Sequence, residues 1–175
     1  MMPAMDDHLT LRLVAEDDLA ILDRLTQDPD ATGEFAWSGW RDLLRFRRGW
    51  AEDRLVGDDG GVLVIARKDE RIGFVSWFRV DFPPASHWSM GIGLLPEARG
   101  HGYGTQAHLL LARYLFAHTN VQRIEAATEV GNVAEQRALE KAGFTREGVH
   151  RATNWRDGAY RDGVWYSMLR TDQPG

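Results

Sequence analysis

LLPEARGHGYGTQAHLLLARYLF, residues 94–116, puts glycines at positions 100, 102 and 104 immediately ahead of an apolar run with helical spacing. Glycine loses more conformational freedom on folding than any other residue, so three of them at a helix start need a reason. A helix N-terminus supplies one. Its first N–H groups have no intrahelical partners and carry about half a positive charge, so they bind anions where the preceding loop lets backbone come close. The N–H groups from Gly100 to Thr105 can form a concave nest for phosphate or pyrophosphate, with Arg99 and His101 at its rim. A tight turn would use the same glycines.

Two phosphate cradles can be tested against these residues. The P-loop requires Gly-x4-Gly-Lys-Ser/Thr, and no lysine lies between Lys68 and Lys141. The dinucleotide fingerprint is formally present in Gly102-Tyr103-Gly104-Thr105-Gln106-Ala107, with Glu125 about 20 residues on. That fingerprint belongs directly after a buried strand and early in a long βαβ series. Here Pro96–Arg99 intervenes and only roughly 70 residues follow.

Composition narrows the classes further. The 175 residues suit one domain, and 43% hydrophobic content is enough for a core. With 21 Lys and Arg against 26 Asp and Glu, the net charge is −5 and no basic stripe stands out, which argues against nucleic acid. The absence of cysteine removes disulfides, thiol nucleophiles and thiolate metal sites. No apolar run approaches the ~18 residues of a membrane span, and no targeting pattern opens the chain, so the expectation is a cytoplasmic protein with no membrane partner.

Periodicity predicts a strand over 9–14, a helix over 16–27, a loop over 28–39, a helix over 40–53 and a turn at 57–61. Two strands follow over 62–80 about a turn at 68–70, then a strand over 87–95 containing Gly91 and Gly93. The helix over 102–119 presents Ala107, Leu110, Leu111, Tyr114 and Leu115 on one face. A strand over 123–128, a helix over 132–144 with Gly143 at its end, and two strands over 145–169 complete the chain. The expected fold is α/β (α+β): a mixed central sheet of about seven strands with about four helices on its faces.

In this order the residues resemble the GCN5-related N-acetyltransferases (GNAT), which move acetyl from acetyl-CoA to amines. The family signature Arg/Gln-x-x-Gly-x-Gly/Ala is matched by Arg99 to Gly104, and the runs IGLLPEARGHGYGTQA, GNVAEQRALEKAGFTREGVHR and DGAYRDGVWYSMLR look like the RimJ/RimL-like, ribosomal-protein branch. The resemblance covers about 9–170 and implies a single N-acetyltransferase domain across 1–175, with 1–8 a flexible N-terminus. It implies that the backbone of Arg99, Gly100, His101, Gly102, Tyr103, Gly104 and Thr105 holds the CoA pyrophosphate. It also implies that Ile92, Gly93 and Leu94 offer backbone groups to the pantetheine and to the acetyl carbonyl, and that Asn132 touches cofactor. Asn132 with Glu135 three residues on also reads as a helix cap. No metal is implied, and no His, Asp or Glu spacing suggests one.

The chain departs from the family where chemistry is concerned. The position of the family's acidic tyrosine holds Leu139, that of the branch's serine holds Glu135, and that of its proposed basic glutamate holds Asn154. A thiol of pKa ~8.5 leaves tolerably without a strong acid. An α-amine of pKa ~8 is easily neutralised, whereas freeing a lysine amine at pH 7 costs about 4 to 5 kcal/mol. The expected acceptor is therefore a peptide N-terminal α-amine or a small-molecule amine, attacking directly in a ternary complex. Glu129 is the first candidate proton acceptor, ahead of His87 and Ser89. His101 is read as facing phosphate or solvent, His108 and His118 as helix-surface residues, and Asp162 as a structural partner. Trp37 and Trp40 lie in GEFAWSGW (33–40) and Trp50 on the second helix, where core packing, a homodimer surface and acceptor contact all stay open. A non-catalytic acyl-CoA-binding regulatory or interaction protein is the alternative from a different class, and a dinucleotide-binding oxidoreductase a second.

Overall fold

The computed structural model describes residues 8–172; the expected flexible segment falls almost wholly on residues 1–7, which lie outside them. The elements are β1 (Leu9–Leu13), α1 (Leu19–Gln27), α2 (Pro29–Thr32), α3 (Arg45–Asp53), β2 (Val56–Gly57), β3 (Gly60–Arg67), β4 (Glu70–Phe82) and β5 (Ala85–Leu94). Then come α4 (Tyr103–His118), β6 (Arg123–Glu129), α5 (Val133–Lys141), β7 (Thr145–Arg156) and β8 (Ala159–Leu169). The sheet runs β1-β3-β4-β5-β6-β8-β7, with β2 as a short extra strand on β3. Every neighbouring pair is antiparallel except β5 and β6, which the α4 crossover joins in parallel. A doubly wound parallel sheet is thereby excluded, and with it the dinucleotide reading.

Differences from the periodic reading have local causes. Within the expected loop, Asp28 accepts from the N–H groups of Asp30 and Ala31, and Pro29 fills the first helical position, which makes α2 a capped single turn. The second helix starts at Arg45 rather than residue 40, because the Asp42 side chain accepts from Leu44 N–H at 2.9 Å and closes a turn first. The buried face of α4 is Tyr103, Ala107, His108, Leu111, Ala112, Leu115 and Phe116. His108, expected on the surface, is fully buried, and Leu110 and Tyr114 sit at the edge of the stripe.

Alternation along β4 sends Phe74 to Phe46 of α3 and Trp77 to Tyr114 of α4, so helices cover both faces of the sheet there. Trp50 donates its indole N–H to the Val14 carbonyl at 2.7 Å, which makes it a structural anchor. Asp162 accepts from Ala152 N–H at 2.9 Å.

Across β6, β7 and β8, Arg123 grips Glu147 with two bonds of 2.7 and 2.6 Å, and Ser167 adds a third of 2.8 Å. The Arg123 guanidinium holds this carboxyl down to about 2, against an ordinary value of 4.5. A carboxylate held down in the fold stabilises above its unfolded value and loses that contribution as pH falls between the two. Acid unfolding is therefore expected to steepen from about pH 4.5 toward 2, and Glu147→Gln should flatten that segment; circular dichroism titration of both proteins checks it.

Candidate active site

Strands β5 and β6 pair only through Trp88↔Ile124 and Ser89↔Glu125, then diverge. On its other side β5 stays paired with β4 up to Leu94. Leu95 N–H donates to the Ile72 carbonyl, so alternation turns the backbone groups of Met90, Ile92 and Leu94 into the gap. The backbone groups of Gly93 turn instead toward β4, and the Phe74 ring beside it occupies the space of a side chain: a Cβ there would lie 2.7 Å from it.

The gap opens into a cleft with two lobes, about 840 and 390 Å³. The larger runs along the start of α4 and collects Ile92, Gly93, Leu94, Arg99, Gly100, Gly102, Gly104, Thr105 and Asn132 of the residues singled out in the sequence. His101 and Tyr103 do not line it. The Tyr103 ring is buried in the core and His101 lies beside it, exposed, at 5.7 Å. Glu129 opens onto the smaller lobe, whereas His87 and Ser89 sit below the divergence and line neither. His87 lies 3.1 Å from Glu125 of β6.

Each glycine of the loop has its own cause. Gly100 and Gly102 both take φ +80° with nothing within 4 Å of an added Cβ, so backbone conformation selects glycine there. Gly102 caps α4, and the first backbone bond of that helix end is Gln106 N–H to the Gly102 carbonyl, which leaves the earlier N–H groups directed outward. Gly104 has ordinary φ, and a methyl there would meet only Ala138, Leu94 and Ile92 at 3.7 to 4.0 Å. Nothing in the protein itself requires glycine at that position; what it preserves is the open floor of the cleft.

Arg99 does not point at the nest. Its guanidinium donates to the Leu94 carbonyl at 3.0 Å and to the carbonyls of Ala31 and Thr32, tying α2 to the end of β5. The larger lobe carries other cations that the sequence reading passed over: Arg41 and Arg45 from the α2–α3 segment, and Arg137 and Lys141 from α5. Burial and the neighbouring Arg41 lower the Arg45 pKa, outweighing the opposing pull of Asp42. Arg137 and Lys141 make no ion pair among the described residues. The signal for them is the spacing 134, 137, 138, 141, which puts two alanines and two cations on one face of α5, opposite the buried Leu139.

Asn132 caps α5, accepting from Glu135 N–H at 3.3 Å and donating to Thr128 Oγ1 at 3.0 Å, while it also borders both lobes. Glu129 is held by Arg156 through bonds of 3.0 and 2.7 Å, which lowers its pKa. A carboxylate so held is a weak proton acceptor. Glu34 and Asp157 also reach Arg156, at 3.6 and 2.9 Å, so its charge is satisfied and the smaller lobe is acidic. Phe35 and Trp37 wall both lobes, with Trp40 edge-on to Trp37 at 5.1 Å. Among the described residues no cluster could hold a metal ion, and no helix is long and apolar enough to cross a membrane.

The site thus joins a cationic, N–H-lined lobe suited to a phosphate-bearing ligand to an acidic lobe suited to a cation. Comparison with known proteins shows the family. A family model described as acetyltransferase (GNAT) domain matches residues 8–145. The uncharacterized N-acetyltransferase YokL of Bacillus subtilis, prophage-derived, is 24% identical over 95% of this chain and 92% of its own. The spermidine N-acetyltransferase of Vibrio cholerae, solved with CoA and spermine, superposes with a TM-score of 0.82 at 19% identity, covering 94% of this chain and 96% of that one. RimL, a ribosomal L7/L12 α-N-protein acetyltransferase solved with coenzyme A, gives 0.77 at 18%, covering 92% and 93%. The chain belongs to the GNAT acetyltransferases.

Proposed function

We propose that this protein is an acetyl-CoA-dependent N-acetyltransferase that moves acetyl to a primary amine by direct attack in a ternary complex. The observation that carries the reading is the Gly104 floor. The chain keeps glycine where its own packing would accept a methyl, beside an N–H-lined helix start and four cationic side chains. The residues present fit coenzyme A. Gly100, Gly102, Gly104 and Thr105 would take the diphosphate on backbone, with Arg137 and Lys141 adding charge, and Ile92 and Leu94 would meet the pantetheine through backbone groups of the gap. When bound, acetyl-CoA supplies an activated thioester carbonyl. The acidic lobe admits the acceptor as a cation, either a peptide N-terminus or a small amine, and we place the reaction in the cytoplasm.

Acetyl-CoA with a library of small amines and peptides bearing free N-termini, read by thiol release and by mass of the product, tests this. Amine-dependent release supports the transferase; saturable coenzyme A binding without release by any amine would favour a non-catalytic binder instead. Arg137→Ala combined with Lys141→Ala is expected to weaken coenzyme A by about ten-fold per charge, ~1.4 kcal/mol each. Because the charges are exposed, the loss should shrink as salt rises from 50 to 300 mM in calorimetric titrations.

A further inference from the structure

Glu135 is the one carboxylate bordering both lobes of the cleft, among the described residues. It lies in the first turn of α5, its N–H bonded to the Asn132 side chain. Its Oε1 is 2.7 Å from Nε2 of His108, whose ring is fully buried in α4 against Phe144. His108 Nδ1 has no partner among the described residues. A buried imidazolium would leave an N–H donor unsatisfied there, whereas a neutral ring leaves only a lone pair. We therefore assign the proton to Nε2, donated to Glu135. The bond satisfies the buried ring and at the same time fixes a carboxylate that borders both lobes.

We propose that Glu135, oriented by the buried His108 behind it, takes the proton from the acceptor ammonium. This rests on the transferase reading above. Glu129, first candidate in the sequence, has both oxygens bonded to Arg156; among the described residues no guanidinium bonds Glu135. Facing the larger lobe with it are Arg41, Arg45, Arg99, Arg137, Lys141 and Glu34. Facing the smaller are the Glu129–Arg156 pair and no further ionisable side chain among its described lining. In the balanced reaction one ammonium proton passes to Glu135, directly or through water. The freed lone pair forms the N–C bond as C–S breaks, the second N–H proton ends on sulfur, and Glu135 returns its proton to solvent. His108 is a positioning residue that holds the carboxylate toward the lobe junction.

The test uses the full chain with saturating acetyl-CoA and two acceptors, n-butylamine and an alanine tetrapeptide amide. Glu135→Gln is expected to lower kcat/KM about 100- to 1000-fold for butylamine and less for the peptide, whose amine is neutral more easily. Its pH profile should track the neutral amine with unit slope, and coenzyme A binding by calorimetry should stay unchanged. His108→Phe should lower kcat about ten-fold with KM unchanged, and His108→Gln, which keeps a donor, should recover most of that loss. A readout independent of turnover is the His108 ring in 15N spectra, expected with hydrogen on Nε2. A Glu135→Gln enzyme within three-fold of the parent with an unaltered pH profile, or a ring carrying hydrogen on Nδ1, overturns the proposal alone. Failure of the unsubstituted protein to bind coenzyme A overturns the transferase reading, and this one with it.

Discussion

Gly104→Leu is expected to weaken coenzyme A binding by about 100-fold or more, ~2.7 kcal/mol, in a protein that still folds. The separation of the two effects follows from geometry. The backbone at Gly104 has ordinary φ, so no strain attends a side chain, and the first added carbon meets its neighbours at ordinary contact distance. Leucine's remaining atoms have to enter the space between β5 and α5, where Ile92, Leu94 and Ala138 border the larger lobe. Overpacking of that kind costs about 1 to 3 kcal/mol, within reach of a stable domain. Gly104→Ala is the sharper control. In a helix it should leave stability equal or raise it by up to ~1 kcal/mol, while narrowing the cleft. Thermal denaturation beside calorimetric titration separates the outcomes; a fall in stability without a fall in affinity would mean that the glycine serves the fold.

Leu139→Ala should have the opposite signature. Leu139 is fully buried where α5 packs onto the sheet, and truncating such a leucine costs about 2 to 5 kcal/mol. In a domain of this size the melting temperature should drop by roughly 5 to 15 °C. Because α5 carries Asn132, Glu135, Arg137 and Lys141, affinity for coenzyme A should fall too, but only as the helix loosens, and it should recover on cooling. A substitution that removed activity at full stability would place Leu139 in the chemistry rather than in the core.

These two residues also mark what could be read in the chain and what could not. The α4 stripe, the β-α-β order and the turn glycines obey rules of local spacing, so the sheet, the crossover and the glycine loop ahead of α4 were legible. Capping turns such as Asp28-Pro29 and Asp42 were legible in principle, being side-chain-to-backbone bonds over two or three residues, yet they sit in a segment without periodicity. The Arg137 and Lys141 pair was readable only once the buried side of α5 was known. Pairs that define the chemistry are different in kind: His108 with Glu135 and Glu129 with Arg156 are each separated by 27 residues and join different elements. On α4 a polar ring among leucines reads as surface, and only tertiary packing buries it. Likewise, a carboxylate at a strand end reads as a base until an arginine from another strand closes on it.

Calorimetric titration of the folded protein with coenzyme A shows whether the glycine-floored cleft is the cofactor site. Saturable binding is expected at one site per chain, strongly diminished by Gly104→Leu and partly by the loss of Arg137 and Lys141. Absence of binding by folded protein, or binding that Gly104→Leu leaves untouched, would contradict it.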